Sequence, residues 1–88
     1  MKTSEIQITF RKGRRFAAYL YLESSPRKAK RTKRFGPSLL VDFDEKGRAL
    51  GVEILAFDEG TVNRINDVLA SIGHPVLSPA ELAPLRAA

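Results

Sequence analysis

Residues 39–54 read LLVDFDEKGRALGVEI, and this stretch decides the fold. Apolar residues alternate with other residues on both sides of an acidic centre that contains a glycine, a pattern typical of a β-hairpin. We predict a hairpin over residues 38–57 with the loop Asp44–Gly47, in which Val41 faces Leu50 across the strands. One face of this hairpin is then apolar, and it consists of Leu39, Val41, Phe43, Leu50, Val52 and Ile54.

A second alternating pattern precedes this hairpin, over residues 6–22. Its two apolar runs are separated by a basic segment with Gly13 at its centre, so we predict another hairpin with Gly13 in the turn. Phe10 is expected to face Phe16, which places every apolar residue of the pattern on one face. That face comprises Ile6, Ile8, Phe10, Phe16, Ala18, Leu20 and Leu22, and the opposite face carries Ala17, Tyr19 and Tyr21.

The period changes after residue 57, where apolar residues recur every three or four positions. This spacing predicts an amphipathic helix over residues 59–72, with Asp58 or Thr61 as N-cap and Gly73 as terminator. In the C-terminal segment, residues 73–88, Ser78 and Glu81 have the spacing of a capping box, and Pro79 stands at the first helical position. This predicts a short helical turn over residues 79–83, limited by Pro84. The expected fold class is α+β, a four-stranded mainly antiparallel sheet of two hairpins with the helix on one face, in one small domain of residues 1–88.

The composition fits a small soluble globular domain, since 43% of the 88 residues are apolar and 28% are charged. The absence of Cys excludes disulfides, thiolate zinc sites and a cysteine nucleophile. We find no apolar run long enough to cross a membrane and no apolar segment typical of a signal peptide at the start. A cytoplasmic location is therefore expected.

The net charge of +5 is unevenly distributed. Residues 11–34 contain ten basic side chains and one acidic side chain, whereas residues 35–88 have a net negative charge. Residues 23–37 form the basic linker between the hairpins, and its residues 27–34 contain almost no apolar side chain, so we expect them to be extended and mobile. Part of residues 30–35 could extend the third strand.

The stretch Val41–Leu55 has an Asp-x-Asp-x-x-Gly turn followed by a Gly-hydrophobic-Glu-Ile strand. In this pattern the chain resembles an uncharacterised bacterial family, domain of unknown function 2283, over residues 6–57. The resemblance implies a small sheet-plus-helix domain with no established activity, and some members of the family are encoded beside small toxin-like proteins. The chain departs from the family in the first hairpin, where basic residues stand in place of acidic ones.

Three sets of polar residues are candidate chemical sites. The segment Asp42–Gly47 imitates a calcium loop, but Lys46 occupies a position that needs a ligand oxygen, and the flanks are strands. Asp42 and Glu53 share a face as a candidate acid/base pair, although such carboxylates on a sheet are usually solvated or paired with cations. His74 is the only histidine, and without Cys a metal site would need carboxylates around this one imidazole. We therefore expect no enzyme, no cofactor and no bound metal.

The basic stretch is the candidate binding surface. We predict a non-catalytic interaction module that binds an acidic protein partner, with a toxin-like neighbour as one such partner. The alternative is a small basic RNA- or DNA-binding protein in which Tyr19 and Tyr21 stack on bases. Leu40 and these tyrosines could also be covered in a homodimer. The basic charge could instead serve solubility alone. No membrane partner is expected. The predicted partner-binding residues are Arg11, Lys12, Arg14, Arg15, Tyr19, Tyr21, Arg27, Lys28, Lys30, Arg31, Lys33 and Arg34.

Overall fold

The computed structural model describes residues 5–23 and 28–86. The chain divides into two compact units, residues 1–55 with the strands and residues 56–88 with the helices. The predicted α+β class and the antiparallel sheet are confirmed, but the described residues form five strands instead of four and two helices instead of one helix and a turn.

The five strands form one sheet in the order β1-β2-β5-β4-β3, and all neighbouring strands are antiparallel. Strands β1 and β2 make the first hairpin, β4 and β5 make the second, and β3 is an edge strand. Their bounds are β1 Glu5–Arg11, β2 Arg14–Tyr21, β3 Arg31–Arg34, β4 Leu39–Phe43 and β5 Ala49–Ile54.

Strand β3 corrects the prediction of a mobile basic linker. Arg31 lies opposite Phe43 and Arg34 lies opposite Leu40, so four linker residues pair with β4. The sequence argument required apolar side chains to hold this segment, whereas backbone hydrogen bonds at a sheet edge do not need them. The linker residues 24–27, including Arg27, lie outside the described residues.

The second hairpin has a longer loop than predicted. Val41 faces Val52 instead of Leu50, and the pairing shifts again at a bulge between Asp42 and Phe43. The cause is Asp44, whose carboxylate accepts backbone hydrogen bonds from Lys46 and Arg48, each at 2.9 Å, and so fixes a wider turn. Because a shift of two residues preserves the alternation, the predicted face is still the buried one. Its buried members are Leu39, Val41, Leu50, Val52 and Ile54, whereas Phe43 is half-buried.

The first hairpin has the predicted pairing at the end far from its turn and departs from it near the turn. Ile6 pairs with Leu20, as expected, but a register shift after Thr9 places Phe10 opposite Arg15 instead of Phe16. The turn residues are Lys12 and Gly13, with φ of +54° and +79°. Both angles are positive, as the common two-residue hairpin turn requires.

The exposed end of the first hairpin extends beyond the rest of the sheet. Ala18 is the first residue of β2 that pairs with β5, where it lies opposite Ile54. Residues 14–17 therefore have β1 as their only neighbouring strand in the described sheet. Phe10 and Phe16 are 61% and 50% exposed, so the apolar face of the first hairpin does not bury these two side chains.

The second unit contains helices α1 (Glu59–Ser71) and α2 (Pro79–Arg86). Asp58 is the N-cap of α1, because its carboxylate accepts hydrogen bonds from the backbone N–H and the hydroxyl of Thr61. Helix α2 continues past Pro84, which corrects the prediction that this proline limits it. A proline removes one helical hydrogen bond, but its φ is compatible with a helix, and buried leucines flank it on both sides.

Among the described residues, no helix combines the length and the apolar character that crossing a membrane requires.

Candidate partner-binding site

The largest group of predicted binding residues lies on and beside β3. We call the exposed side chains of Lys28, Lys30, Arg31, Lys33 and Arg34 the basic edge. Strand β3 has β4 on one side and no further strand on the other within the described part of the chain. The basic edge is therefore a line of cations along the open side of a sheet.

The backbone of β3 presents hydrogen-bonding groups to that open side. The Phe35 N–H donates to the Leu39 carbonyl at 2.8 Å, which places this residue in a hydrogen-bonded pair with β4. In an antiparallel ladder such pairs alternate, so the backbone groups of Arg31 and Lys33 also face β4. Those of Thr32 and Arg34 face away from β4.

The cations of the basic edge are distributed over both faces of the strand. Thr32 and Arg34 share one face, and Arg31 and Lys33 share the other, because side chains alternate along a strand. The Arg31 guanidinium lies 5.8 Å from the centre of the Phe43 ring, and the Lys33 ammonium lies 5.3 Å from that of Phe35. These cation–π contacts restrict the two side chains without neutralising them.

Asp42 connects β3 to the middle of the sheet. Its two carboxylate oxygens accept hydrogen bonds from the Thr32 hydroxyl at 2.6 Å and from the Tyr19 hydroxyl at 2.9 Å. Tyr19 belongs to β2, so its side chain crosses β5 to reach Asp42, and it passes over Gly51. A Cβ atom at Gly51 would overlap the Cε2, Cζ and hydroxyl oxygen atoms of Tyr19, which explains the glycine.

The pKa of this half-buried phenol is shifted. Burial raises the pKa of Tyr19 above its usual value, and the hydrogen bond to the Asp42 carboxylate raises it further. The phenol therefore keeps its proton and donates a hydrogen bond to the Asp42 carboxylate. Sequence reasoning missed this link, although a glycine inside a strand pattern is a signal of close approach by another group.

The two predicted stacking tyrosines lie together on the face opposite the buried one. The rings of Tyr19 and Tyr21 are 4.8 Å apart between centroids at an angle of 66°, and the Tyr21 hydroxyl donates to Gln7. Asp42 binds the other hydroxyl. Both hydroxyl groups are thus engaged inside the sheet, and Tyr21 is 37% exposed.

The remaining predicted cations lie at the other side of the sheet. We call Arg11, Lys12, Arg14 and Arg15 the basic tip, because they surround the turn of the first hairpin. The Arg11 guanidinium lies 4.1 Å from the centre of the Phe16 ring. With strands spaced about 4.8 Å apart, β2 and β3 are separated by roughly 14 Å and β1 and β3 by roughly 19 Å. The structure thus divides the predicted binding residues between two surfaces.

A surface cavity extends the basic edge toward the loop of the second hairpin. Its volume is about 320 Å³, and its lining residues are Lys28, Lys30, Asp44, Glu45, Lys46 and Arg48. Asp44 forms an ion pair with Arg48 at 3.1 Å. The hydrogen bond from the Arg48 backbone lowers the pKa of Asp44, and the bonds from the Lys46 backbone and the Arg48 side chain act in the same direction. Four cations and two carboxylates leave this cavity net positive.

Of the carboxylates that the sequence offers as chemical sites, Asp42 and Asp44 are engaged in the sheet and its loop. Asp42 accepts from two hydroxyls, and Asp44 accepts from the backbone and the side chain of its own loop. Glu53 lies opposite Leu40. Over residues 5–23 and 28–86 no group of three or more His, Cys, Asp or Glu side chains could hold a metal ion.

The chain is a small α+β protein whose sheet carries a line of cations along one edge strand. Residues 17–57 match the family described as protein of unknown function (DUF2283). This match runs from the middle of β2 through β5, confirms the resemblance over those residues, and brings no activity with it. No curated protein and no solved structure matched the chain.

Proposed function

We propose that this chain is a non-catalytic interaction module that binds an acidic segment of a partner protein at the basic edge. The observation that carries the proposal is β3, an edge strand whose four residues are all exposed and three of which are cationic. The family resemblance adds a partner class, a small toxin-like protein. Charge complementarity would steer such a partner and select against basic ones.

The way in which the cations are held supports this proposal. Pairing with β4 sets the spacing of Arg31, Lys33 and Arg34 along a strand, so that alternate side chains lie about 6.6 Å apart. The cavity places Lys46 close to the start of the basic edge. An acidic segment in extended form would meet cations at regular intervals, whereas a charge on a flexible loop offers no such order.

A second candidate function is nucleic-acid binding by the basic tip. The tip is the end of a two-stranded ribbon, a shape that the major groove of DNA admits, and it carries two exposed phenylalanines beside its cations. Tyr19 and Tyr21 contribute less to this alternative than the sequence indicates, because both hydroxyls are engaged within the sheet.

Fluorescence anisotropy with matched charge removals tests the two candidates. The probes are a labelled ten-residue peptide rich in Glu and Val, a single-stranded RNA and a DNA duplex, each at two salt concentrations. Two variants each lose four cations: an edge variant (K28S, K30S, K33S and R34S) and a tip variant (R11S, K12S, R14S and R15S). Circular dichroism and thermal melting check that both fold.

We expect the edge variant to bind the acidic peptide at least tenfold more weakly and the tip variant less than threefold more weakly. Equal losses in the two variants would show attraction by net charge alone and would contradict the proposal. Tighter binding of RNA or DNA than of the peptide at physiological salt, abolished in the tip variant, would establish the second candidate in its place.

A further inference from the structure

We infer that the acidic segment binds by strand addition, as a sixth strand that pairs with β3. This inference rests on the proposed function and specifies its geometry. The occupant is an extended, acidic segment of the partner protein. Edge strands recruit extended peptides in this way, with backbone hydrogen bonds supplying affinity and side chains supplying selectivity.

The backbone of β3 is ready for a further strand. The N–H and C=O groups of Thr32 and Arg34 face away from β4, and both residues are exposed. A partner strand at the usual spacing of about 4.8 Å would exchange hydrogen bonds with these two residues. Such bonds depend on the direction of the strand and on its position, which distinguishes strand addition from attraction by charge.

The side chains of β3 select the charge of the added strand. Lys33 and Arg34 project to opposite faces, so carboxylates on both faces of the partner strand would find a cation across the ladder. Opposite charges at directly facing positions stabilise a strand pair, whereas like charges destabilise it. A second copy of β3 would bring like charges together, which disfavours pairing of this edge with itself.

The strand is also held in place before a partner arrives. The Thr32 hydroxyl bonds to Asp42, which in turn accepts from Tyr19 two strands further into the sheet. The Arg34 guanidinium donates to the carbonyls of Gly36 and Pro37, at 3.3 and 3.0 Å. A partner would therefore spend little free energy on ordering β3.

The first test places N-methyl groups on the backbone of the acidic peptide, which preserves its charge. One peptide is methylated at odd positions and another at even positions, and each is titrated against the full chain. Because alternate N–H groups of an added strand point toward β3, we expect a loss of at least tenfold for one peptide and less than twofold for the other. The exchange of the Thr32 and Arg34 amide protons, followed by NMR, should slow when the unmodified peptide binds.

A pair of variants tests the same contact from the side of the protein. R34P and R34S both remove one cation, but only the proline removes the N–H that faces outward, and edge strands tolerate proline at such positions. We expect R34P to bind the peptide at least fivefold more weakly than R34S. Thermal melting checks that R34P folds, and the N-methyl series decides the question if it does not.

The outcomes separate this inference from the proposed function. Equal affinity for all three peptides, with a strong loss in the edge variant, would leave the acidic partner at the basic edge and overturn strand addition. No binding of the unmodified peptide at physiological salt would overturn both. Tighter binding of RNA than of the peptide at the same edge would replace the protein partner by a nucleic acid.

Discussion

The basic tip and the basic edge carry similar charge but are held in different ways. The tip depends on a two-residue turn and on pairing with a single neighbouring strand, and a guanidinium stacks on Phe16 at its end. The edge is paired along β4 and is connected by Asp42 to Tyr19 in β2. The edge is thus part of the sheet, whereas the tip projects from it.

From this difference we expect the position of a cation in the sheet to matter more for recognition than the number of cations. Cations whose spacing is fixed by a sheet can match a partner of fixed geometry, because little conformational entropy is lost on binding. Cations around a projecting turn attract any anion, with an affinity that falls steeply as salt is added. Substitutions that weaken the contacts of one region should therefore leave the other region intact.

The largest effect is expected from Gly51→Ala. The new Cβ would displace the Tyr19 ring and break its hydrogen bond to Asp42, so we expect a loss of about 1–3 kcal/mol in the free energy of unfolding. Urea denaturation measures this loss. Amide exchange should accelerate in β3 and remain unchanged in residues 10–15.

A double-mutant cycle with Tyr19→Ala provides the control for that prediction. Once the ring is absent, the added methyl group has nothing to displace, so the double variant should be less destabilised than the sum of the single variants predicts. Strict additivity would show that Gly51 is needed for a reason other than the Tyr19 ring. Faster exchange at the tip would contradict the separation of the two regions.

Single residues show how much of the fold can be predicted from the sequence. Alternation correctly identifies the buried faces of β2, β4 and β5, because the period of a strand is a local property. The pairing of Val41 is missed, since it depends on hydrogen bonds from the Asp44 side chain to its own loop. Strand β3 is missed because its stability comes from backbone bonds and from the Thr32–Asp42 contact.

The candidate site is predicted less completely than the fold. The charge pattern identifies a set of candidate cations, but it does not show that they separate into two surfaces, because that depends on the order of the strands. The contact between Tyr19 and Asp42 joins residues 23 positions apart and requires a glycine in a third strand. The glycine signals a close approach, but no local pattern shows which side chain makes it.

A smaller effect is expected from alkaline pH, which acts on the same phenol. Because the pKa of Tyr19 is raised in the folded state by burial and by Asp42, its contribution to stability is complete below the unfolded value of about 10 and is lost as pH rises further. In a Tyr21→Phe variant Tyr19 is the only tyrosine. Its absorbance near 295 nm should therefore change well above pH 10, together with unfolding.

The urea-unfolded form of the same variant is the reference for this titration and should ionise near pH 10. A native protein whose phenol ionises at the same pH as the unfolded chain would contradict the hydrogen bond from Tyr19 to Asp42. The basic edge would then lack its connection to β2 and would be held only by its pairing with β4 and by the Thr32–Asp42 hydrogen bond.

The smallest effect is expected at the turn of the basic tip. Lys12 has a positive φ, which costs energy for a residue with a long side chain, whereas Asn accepts this conformation and Asn-Gly is the preferred pair in such turns. Lys12→Asn should therefore stabilise the protein by about 0.5–1 kcal/mol in urea denaturation. Lys12→Gln removes the same charge without this gain and serves as the control. Both variants should bind the acidic peptide within twofold of the original chain, and a loss above threefold in both would show that the tip takes part in recognition.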